Sequence, residues 1–486
     1  MSPKLFFMVG VSILAGCTHL DSAHSVKHAS FETPKPAITQ PPQPQFAHIR
    51  PIEAIDTQHE YQLAELIHLA QLHNPATRIA WQEAEQAALA AGMVKATYLP
   101  SITASVIAGR QSFHNQHNIE LAHLLDREIR SKNTAHGVVP ALTLSWLLFD
   151  FGRRDAAHKA AVELSAAQYA KFTTAHQLII FNVTRTYFEY DAARQKTRLA
   201  HEHFTQSKTL VQAAQARFNS GVGTRIDIAQ AQQLQAQARL LWVQKQGAER
   251  DSYNALLGAM GLPPNTSLQV QSSAKRTLPA LKQLPSADDL QAALAYRPDL
   301  MAADAVARAA EQGVELVKAD YRPAVGLLAV AATGSASLNF NNALQTSPTV
   351  KGNAVFLGMT VPLYDGGLRR QRLYDAQSKA QAARDIFEQT QHAAWREIHI
   401  AANALRTALE AYEASQELLA AAQTTHTAAQ ESYEVGLTSM MLATETSNAL
   451  LDAAQAHATA HAAALIASSN LAFMMGQIEA TDVLTQ

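Results

Sequence analysis

The chain has 486 residues, a formal net charge of −2, 16% charged and 48% hydrophobic residues, and a single cysteine. That balance offers no basic tract for nucleic acid, and one cysteine excludes a disulfide framework and a cysteine metal site. Beyond the N-terminal segment there is no apolar run of about 18 residues, so any part that crosses a membrane must do so as β-strands.

At the N-terminus Lys4 precedes an apolar run from Leu5 to Ala15 that ends in Leu14-Ala15-Gly16-Cys17. This predicts a signal peptide over 1–16 with a lipobox, and an acylated Cys17 as the mature N-terminus; the run is too short to span a bilayer. Thr18, rather than an aspartate, follows the cysteine, as in lipoproteins sorted to the outer membrane. Residues 17–57, with Pro34, Pro36, Pro41, Pro42 and Pro44, read as an extended tether able to reach roughly 120 Å at about 3.1 Å per residue.

An amphipathic helix is expected from Tyr61 to His73 and a second from Ala76 to Thr97. The period then changes from 3.6 to 2. Ile102, Ala104, Val106 and Ala108 alternate with Ser101, Thr103, Ser105 and Ile107, predicting a strand near 100–110. A polar, histidine-rich stretch, 111–135, reads as a loop, and Leu142, Leu144, Trp146 and Leu148 mark a second strand near 138–149. Proline and glycine are then absent for about 66 residues from Arg153 to Phe218, predicting a helix roughly 100 Å long. It turns at Ser220-Gly221-Val222-Gly223-Thr224 and returns over about 225–258.

After a linker at 263–285 the same order repeats. Pro75 and Pro298 lie 223 apart, as do Tyr98-Leu99-Pro100 and Tyr321-Arg322-Pro323; Asp150 and Asp365, Gly221 and Gly436, and Gly261 and Gly476 lie 215 apart. The chain is therefore a duplication, with repeat 1 at 58–262 and repeat 2 at 286–476, strands near 324–335 and 353–364, a helical hairpin at 368–475 and a tail at 477–486. The change of register predicts about eight extra residues in a surface loop of the first copy. In the second long helix Trp395, Ile398, Ala402, Leu405, Leu409, Tyr412 and Leu419 follow a 3-4-3-4 seam.

Four strands of bilayer-crossing length cannot close a barrel, and open edges in lipid leave backbone groups unpaired at several kcal/mol each. Three copies supply twelve strands, continued below by helices. The predicted fold is thus mainly α with membrane β: a trimeric twelve-stranded barrel on a long α-helical barrel. His201-Glu202-His203 and the histidines His114, His117 and His123 lack metal spacing with a supporting acid, and no catalytic constellation is present, so neither a metal, a cofactor beyond the lipid on Cys17, nor an enzyme activity is expected. An adaptor lipoprotein would carry one helical hairpin between other domains, and a structural coiled-coil lipoprotein would lack the strands.

Taken together, the lipobox at Cys17, the Tyr-X-Pro strand starts, the Asp150 and Asp365 exits followed by Arg153-Arg154 and Arg369-Arg370, and the two glycine turns resemble the outer membrane factor family of TolC-like ducts, in its lipoprotein branch of OprM- and NodT-like proteins. The resemblance implies a homotrimeric passive channel that exports drugs, toxic small molecules or proteins, driven by an inner-membrane pump through a periplasmic adaptor. It implies that Arg217, Gly221, Val222, Gly223, Thr224, Gly436, Leu437 and Thr438 form the adaptor-docking tips. It further implies acidic rings at the entrance on the last helix, where this chain has Leu442 and Glu445, leaving at most one ring. Asp227 matches an aspartate after the first turn, whose arginine partner is here Thr438.

Overall fold

The computed structural model describes residues 55–121, 125–274, 276–340, 344–347 and 349–478. The signal segment, Cys17, nearly all of the tether, His123, the side chain of His117 and most of the tail lie outside the described residues.

A two-residue strand, β1 (Glu60–Tyr61), leads into helix α1 (Leu63–His73), whose start is a reciprocal box between Gln62 and Glu65. Asn74 ends it and caps the next helix, α2 (Pro75–Ala96): its side-chain oxygen accepts from the Ala76 amide at 2.9 Å, while Pro75 occupies the first helical position, where no amide is needed. Then come β2 (Ser101–Leu121), β3 (Leu125–Phe149), α3 (Arg153–Asn219) and α4 (Arg225–Met260). A linker carries β4 (Gln269–Val270), which pairs in parallel with β1. The second copy follows as α5 (Ala287–Ala292), α6 (Pro298–Ala319), β5 (Ala324–Phe340), β6 (Leu344–Thr346), β7 (Thr349–Thr360), α7 (Leu368–Glu434) and α8 (Met440–Met474). Equivalent helices match in length: α2 and α6 have 22 residues each, α3 and α7 have 67.

Strands β2, β3, β5 and β7 form one antiparallel sheet in that order, with the three-residue β6 pairing the far end of β5 on the same side as β7, so that β2 and β7 are its long edges and the sheet is not closed among the described residues. Where the sequence predicted a loop at 111–135, β2 and β3 run on as a paired ladder to Leu121 and Leu125. The alternation that marks a half-buried strand is absent there, because a hairpin can satisfy its backbone by pairing with itself and needs no apolar face to do so. The extra residues of repeat 1 thus lengthen a hairpin. At the other end β7 stops at Thr360, four residues before the predicted Tyr364; Pro362 has no amide to donate, and Leu363 and Tyr364 are almost fully exposed. Between β3 and β5 the pairing skips Val139 and Pro140, and a Cβ on Gly334 would lie 2.5 Å from the Val138 carbonyl oxygen, so glycine is what lets β5 cross there.

Each strand pair is welded to its long helix by an arginine. Arg154 donates from Nε to Asp150 (2.8 Å) and from Nη1 to the Leu147 (2.7 Å) and Thr97 (3.0 Å) carbonyls, with its guanidinium 4.7 Å from the Tyr98 ring. In repeat 2, Arg369 donates to Asp365 (2.7 Å) and to the Pro362 carbonyl (2.8 Å), 5.2 Å from the Tyr321 ring. The side-chain hydrogen bond from Arg369 holds the Asp365 carboxyl below its ordinary range. The preceding turn takes two left-handed residues, Gly366 and Gly367 in repeat 2 but Phe151 (φ +54°) and Gly152 in repeat 1, where a phenylalanine carries the strain.

The core sits at the level of the linker. Leu66, Ile67, Val183, Phe188, Leu256, Leu257 and Met260 bring α1, α3 and α4 together, and Ile398, Leu405, Leu409, Ala464 and Leu471 join α7 to α8 along the predicted seam. Each of the larger of these side chains contributes about 1.5–3 kcal/mol on burial. Two duplicated landmarks meet here. Gly261 (φ +74°) lies so close to Asn74 that a Cβ would stand 2.8 Å from its Cα, and Gly476 (φ +72°) would place one 2.5 Å from the Tyr296 carbonyl oxygen. Each helix that starts at a proline is therefore docked against the glycine that ends its own repeat.

Asp191, fully buried on α3, fastens the linker: it accepts from the Ser273 amide (2.9 Å) and hydroxyl (2.6 Å), from Arg194 (2.7 Å) and from Gln195 (3.0 Å). Burial alone pushes its carboxyl up; the bonds from Ser273 and Arg194 outweigh that and hold it below the ordinary value. Among the described residues, no helix is long and apolar enough to cross a membrane, and no group of three or more His, Cys, Asp or Glu residues could hold a metal ion.

Candidate functional site: the two hairpin tips

The reversal from α3 to α4 is a glycine-terminated helix end. Gly221 is left-handed (φ +77°), and the amides of Val222 and Gly223 both return to the Arg217 carbonyl, at 3.1 and 3.0 Å. A Cβ on Gly223 would stand 2.8 Å from the Phe218 nitrogen, so the tightness of the turn, not only its handedness, demands glycine. Thr224 caps α4: its hydroxyl accepts from the Asp227 amide (3.2 Å), and the Asp227 carboxylate accepts from the Thr224 amide (2.8 Å) and hydroxyl (2.9 Å). Asp227, matched above to an entrance aspartate, is therefore engaged in a capping box. The second turn is simpler. Gly436 is left-handed (φ +84°), the Leu437 amide reaches the Ser432 carbonyl at 2.8 Å, and Ser439 caps α8 by accepting from the Leu442 amide at 3.4 Å.

One side chain joins the two tips. Arg217 Nη1 donates to the Tyr433 carbonyl at 2.8 Å, its guanidinium lies 5.0 Å from the Tyr433 ring, and it flanks Gly436 so closely that a Cβ there would meet it at 3.6 Å. Beneath this bridge Ala214, Ala231, Tyr433, Met440 and Ala443 form a small buried cluster with contributions from all four long helices. The Tyr433 hydroxyl is buried; burial pushes it up, Arg217 opposes that, and Asp227 adds to it. Sequence reading assigned Arg217 to the docking surface and missed this bridge, although its register, near 215 residues from Tyr433, was visible.

Around the bridge the surface is apolar. Val222, Ile226, Val435, Leu437 and Met441 are each at least 66% exposed. A folded chain rarely leaves so many large apolar side chains together at one end, and such a patch marks a contact surface. Leu442 and Glu445 lie one turn apart on the exposed side of α8, and Glu445 makes no ion pair among the described residues. Thr438 is half-buried and stands where an arginine partner for Asp227 was sought.

The sequence profile of the family described as "Outer membrane efflux protein" matches residues 66–262 and 290–477, that is, both repeats. The chain belongs to that family. This outer membrane efflux protein is 27% identical over 381 residues to the protein CyaE of Bordetella pertussis, covering 78% of this chain and 74% of CyaE. It is 23% identical over 342 residues to the outer membrane protein OprJ of Pseudomonas aeruginosa, 69% of this chain and 67% of OprJ. Its fold matches the solved structures of CusC (TM-score 0.69, 20% identity, 86% of this chain and 92% of that one) and of the MtrE outer membrane channel of Neisseria gonorrhoeae in its open state (TM-score 0.68, 21% identity, 85% and 88%). By its family the chain is thus an efflux protein of the outer membrane, and its fold is that of solved outer-membrane channels.

Proposed function

We propose that three copies of this chain close a twelve-stranded barrel in the outer membrane, continue it as an α-helical barrel into the periplasm, and form a passive duct for small toxic molecules delivered by a pump and its adaptor. The observation that carries this reading is a sheet of four long strands whose outer edges, β2 and β7, are unpaired among the described residues, joined to helices of 67 residues, roughly 100 Å each. In lipid those edges must pair, and only further copies of the same sheet offer matching partners. The exposed apolar tips, at the far end of the long helices, are the surface on which an adaptor would dock. Glu445 would place one carboxylate per chain at the entrance beside Leu442. The lipid on Cys17 would tether the chain to the membrane without forming part of the channel, and no cofactor is invoked.

The test is electrophoresis of outer-membrane fractions with and without heating, on the full chain and on a chain ending at Leu262. The full chain, and a Cys17→Ser form carrying a non-lipid signal, should run as trimers that dissociate on heating. A half-chain that inserts as a stable monomer and supports export would overturn the reading.

A further inference from the structure

The charges of the sheet are one-sided. Over Ser101–Gln116, Arg130–Phe149, Ala324–Phe340 and Thr349–Thr360 the sequence contains no aspartate or glutamate, and its four formal cations are Arg110, Arg130, Lys132 and Lys351. The register puts all four positions on one face. Arg110 is paired with His136, His114 with Lys132 and Gln116 with Arg130, in phase with Ile102–Leu144, Ala104–Leu142 and Ala108–Val138. On the other edge Lys351 is paired with Thr333, in phase with Val355–Ala329, Leu357–Leu327 and Met359–Val325. The opposite face is mixed: it carries Ser101, Thr103, Ser105, Thr143, Ser145, Gly326, Gly352 and Gly358, together with Ile107, Leu328 and Phe356, and has no charged position over these spans. The basic positions therefore share the apolar, lipid-directed face, on which Val106, Val355, Leu357 and Met359 are 67–70% exposed.

They also share a height. Arg110 stands nine residues beyond Ser101, where β2 starts, and Lys351 nine residues before Thr360, where β7 ends. Nine residues span about 30 Å along a strand, and with the tilt of a barrel strand that corresponds to an apolar band about 25 Å tall. Arg110, His136 and Lys351 are exposed where that band stops, on the side away from the helices. Lys132 and Arg130 lie further along the β2–β3 hairpin, and acidic residues enter this face only beyond them, at Glu128, Asp126 and Glu120.

We infer that this face is a binding belt for the phosphate groups of the glycolipid that forms the outer leaflet, with Arg110 and Lys351 as its anchors at the two edges of each sheet and the β2–β3 extension rising among the phosphorylated sugars. Arginine and lysine without competing carboxylates fit phosphate, and fixed cations at the rim replace the divalent ions that otherwise bridge neighbouring lipid phosphates. The inference rests on the reading of the sheet as part of a membrane barrel.

The test compares binding of detergent-purified wild type, the Arg110→Ser/Lys351→Ser double variant and Arg110→Lys to lipid A and to lipid A stripped of both phosphates, with inorganic phosphate as competitor and heat-sensitive trimers scored in parallel. Wild type should prefer the phosphorylated lipid by about tenfold, Arg110→Lys should keep most of that preference, the double variant should lose it, and inorganic phosphate should not displace the lipid. Equal binding of both lipids by a trimeric wild type, an undiminished preference in a trimeric double variant, or displacement by inorganic phosphate overturns the belt and leaves the barrel standing. Absence of trimer in the wild type overturns the barrel itself.

Discussion

Arg217→Ala removes the contact that joins the two hairpin tips. The lost interactions are a charge-assisted hydrogen bond of 2.8 Å to the Tyr433 carbonyl and a guanidinium 5.0 Å from the ring. Arg217 is only half-buried, so the lower end of each range applies: about 1.5 kcal/mol for the first and about 0.5 kcal/mol for the second. About 2 kcal/mol per chain corresponds to roughly a thirtyfold shift between joined and separated tips. If the joined tips narrow the entrance, single-channel conductance of the purified variant in planar bilayers should rise above wild type. Arg217→Lys, which keeps the charge but not the planar fork, should fall between them. Tyr433→Phe keeps both the carbonyl and the ring and should behave as wild type. Unchanged conductance in Arg217→Ala, with the trimer intact, would refute the idea that this bridge sets the aperture; an equal rise in Tyr433→Phe would move the effect to the hydroxyl.

Glu445→Gln should lower cation selectivity and weaken block by multivalent cations in the same bilayers with little change in trimer stability, because the side chain is exposed and makes no ion pair among the described residues; identical reversal potentials would make it a bystander. Asp191→Asn should destabilise the chain by about 2–4 kcal/mol at neutral pH, since a buried carboxylate that accepts five hydrogen bonds is lost and Arg194 loses its ion-pair partner. Its pH dependence has a definite sign. A carboxyl held below its ordinary value contributes stability above the unfolded pKa and loses it as pH falls through the folded one, so melting of wild type should decline on acidification more steeply than that of Asp191→Asn. Gly476→Ala should destabilise by several kcal/mol in thermal melts, because its Cβ would stand 2.5 Å from a backbone oxygen, whereas Gly258→Ala, with nothing within 4 Å, should be neutral or mildly stabilising.

Much of this architecture is legible in the sequence. The absence of proline and glycine between Arg153 and Phe218 is a direct statement about backbone hydrogen bonding, and the helix there ends within a residue of the expected place. Strands β2, β3, β5 and β7 are legible where one face is apolar and the other polar, which imposes a period of two. Where that contrast lapses, 111–121 and 125–135 read as a loop although their backbone is paired. Tertiary roles were the least visible. Arg154 and Arg369 stood out as basic residues 215 apart, but that each binds an aspartate and strand-end carbonyls is a fact of geometry. In the same way Asp227 and Arg217 were recognised as tip residues, while composition could not say that one caps its own helix and the other reaches across to the second repeat.

The unpaired edges β2 and β7 have a genetic consequence. If every ring needs three sound sheets, a chain whose sheet cannot pair on one edge but still associates will spoil rings made mostly of normal chains. Expressed in equal amounts with the normal protein and mixed at random, it would leave only about one ring in eight free of it. An allele disrupting a single strand edge should therefore act dominantly, whereas a null allele should be recessive.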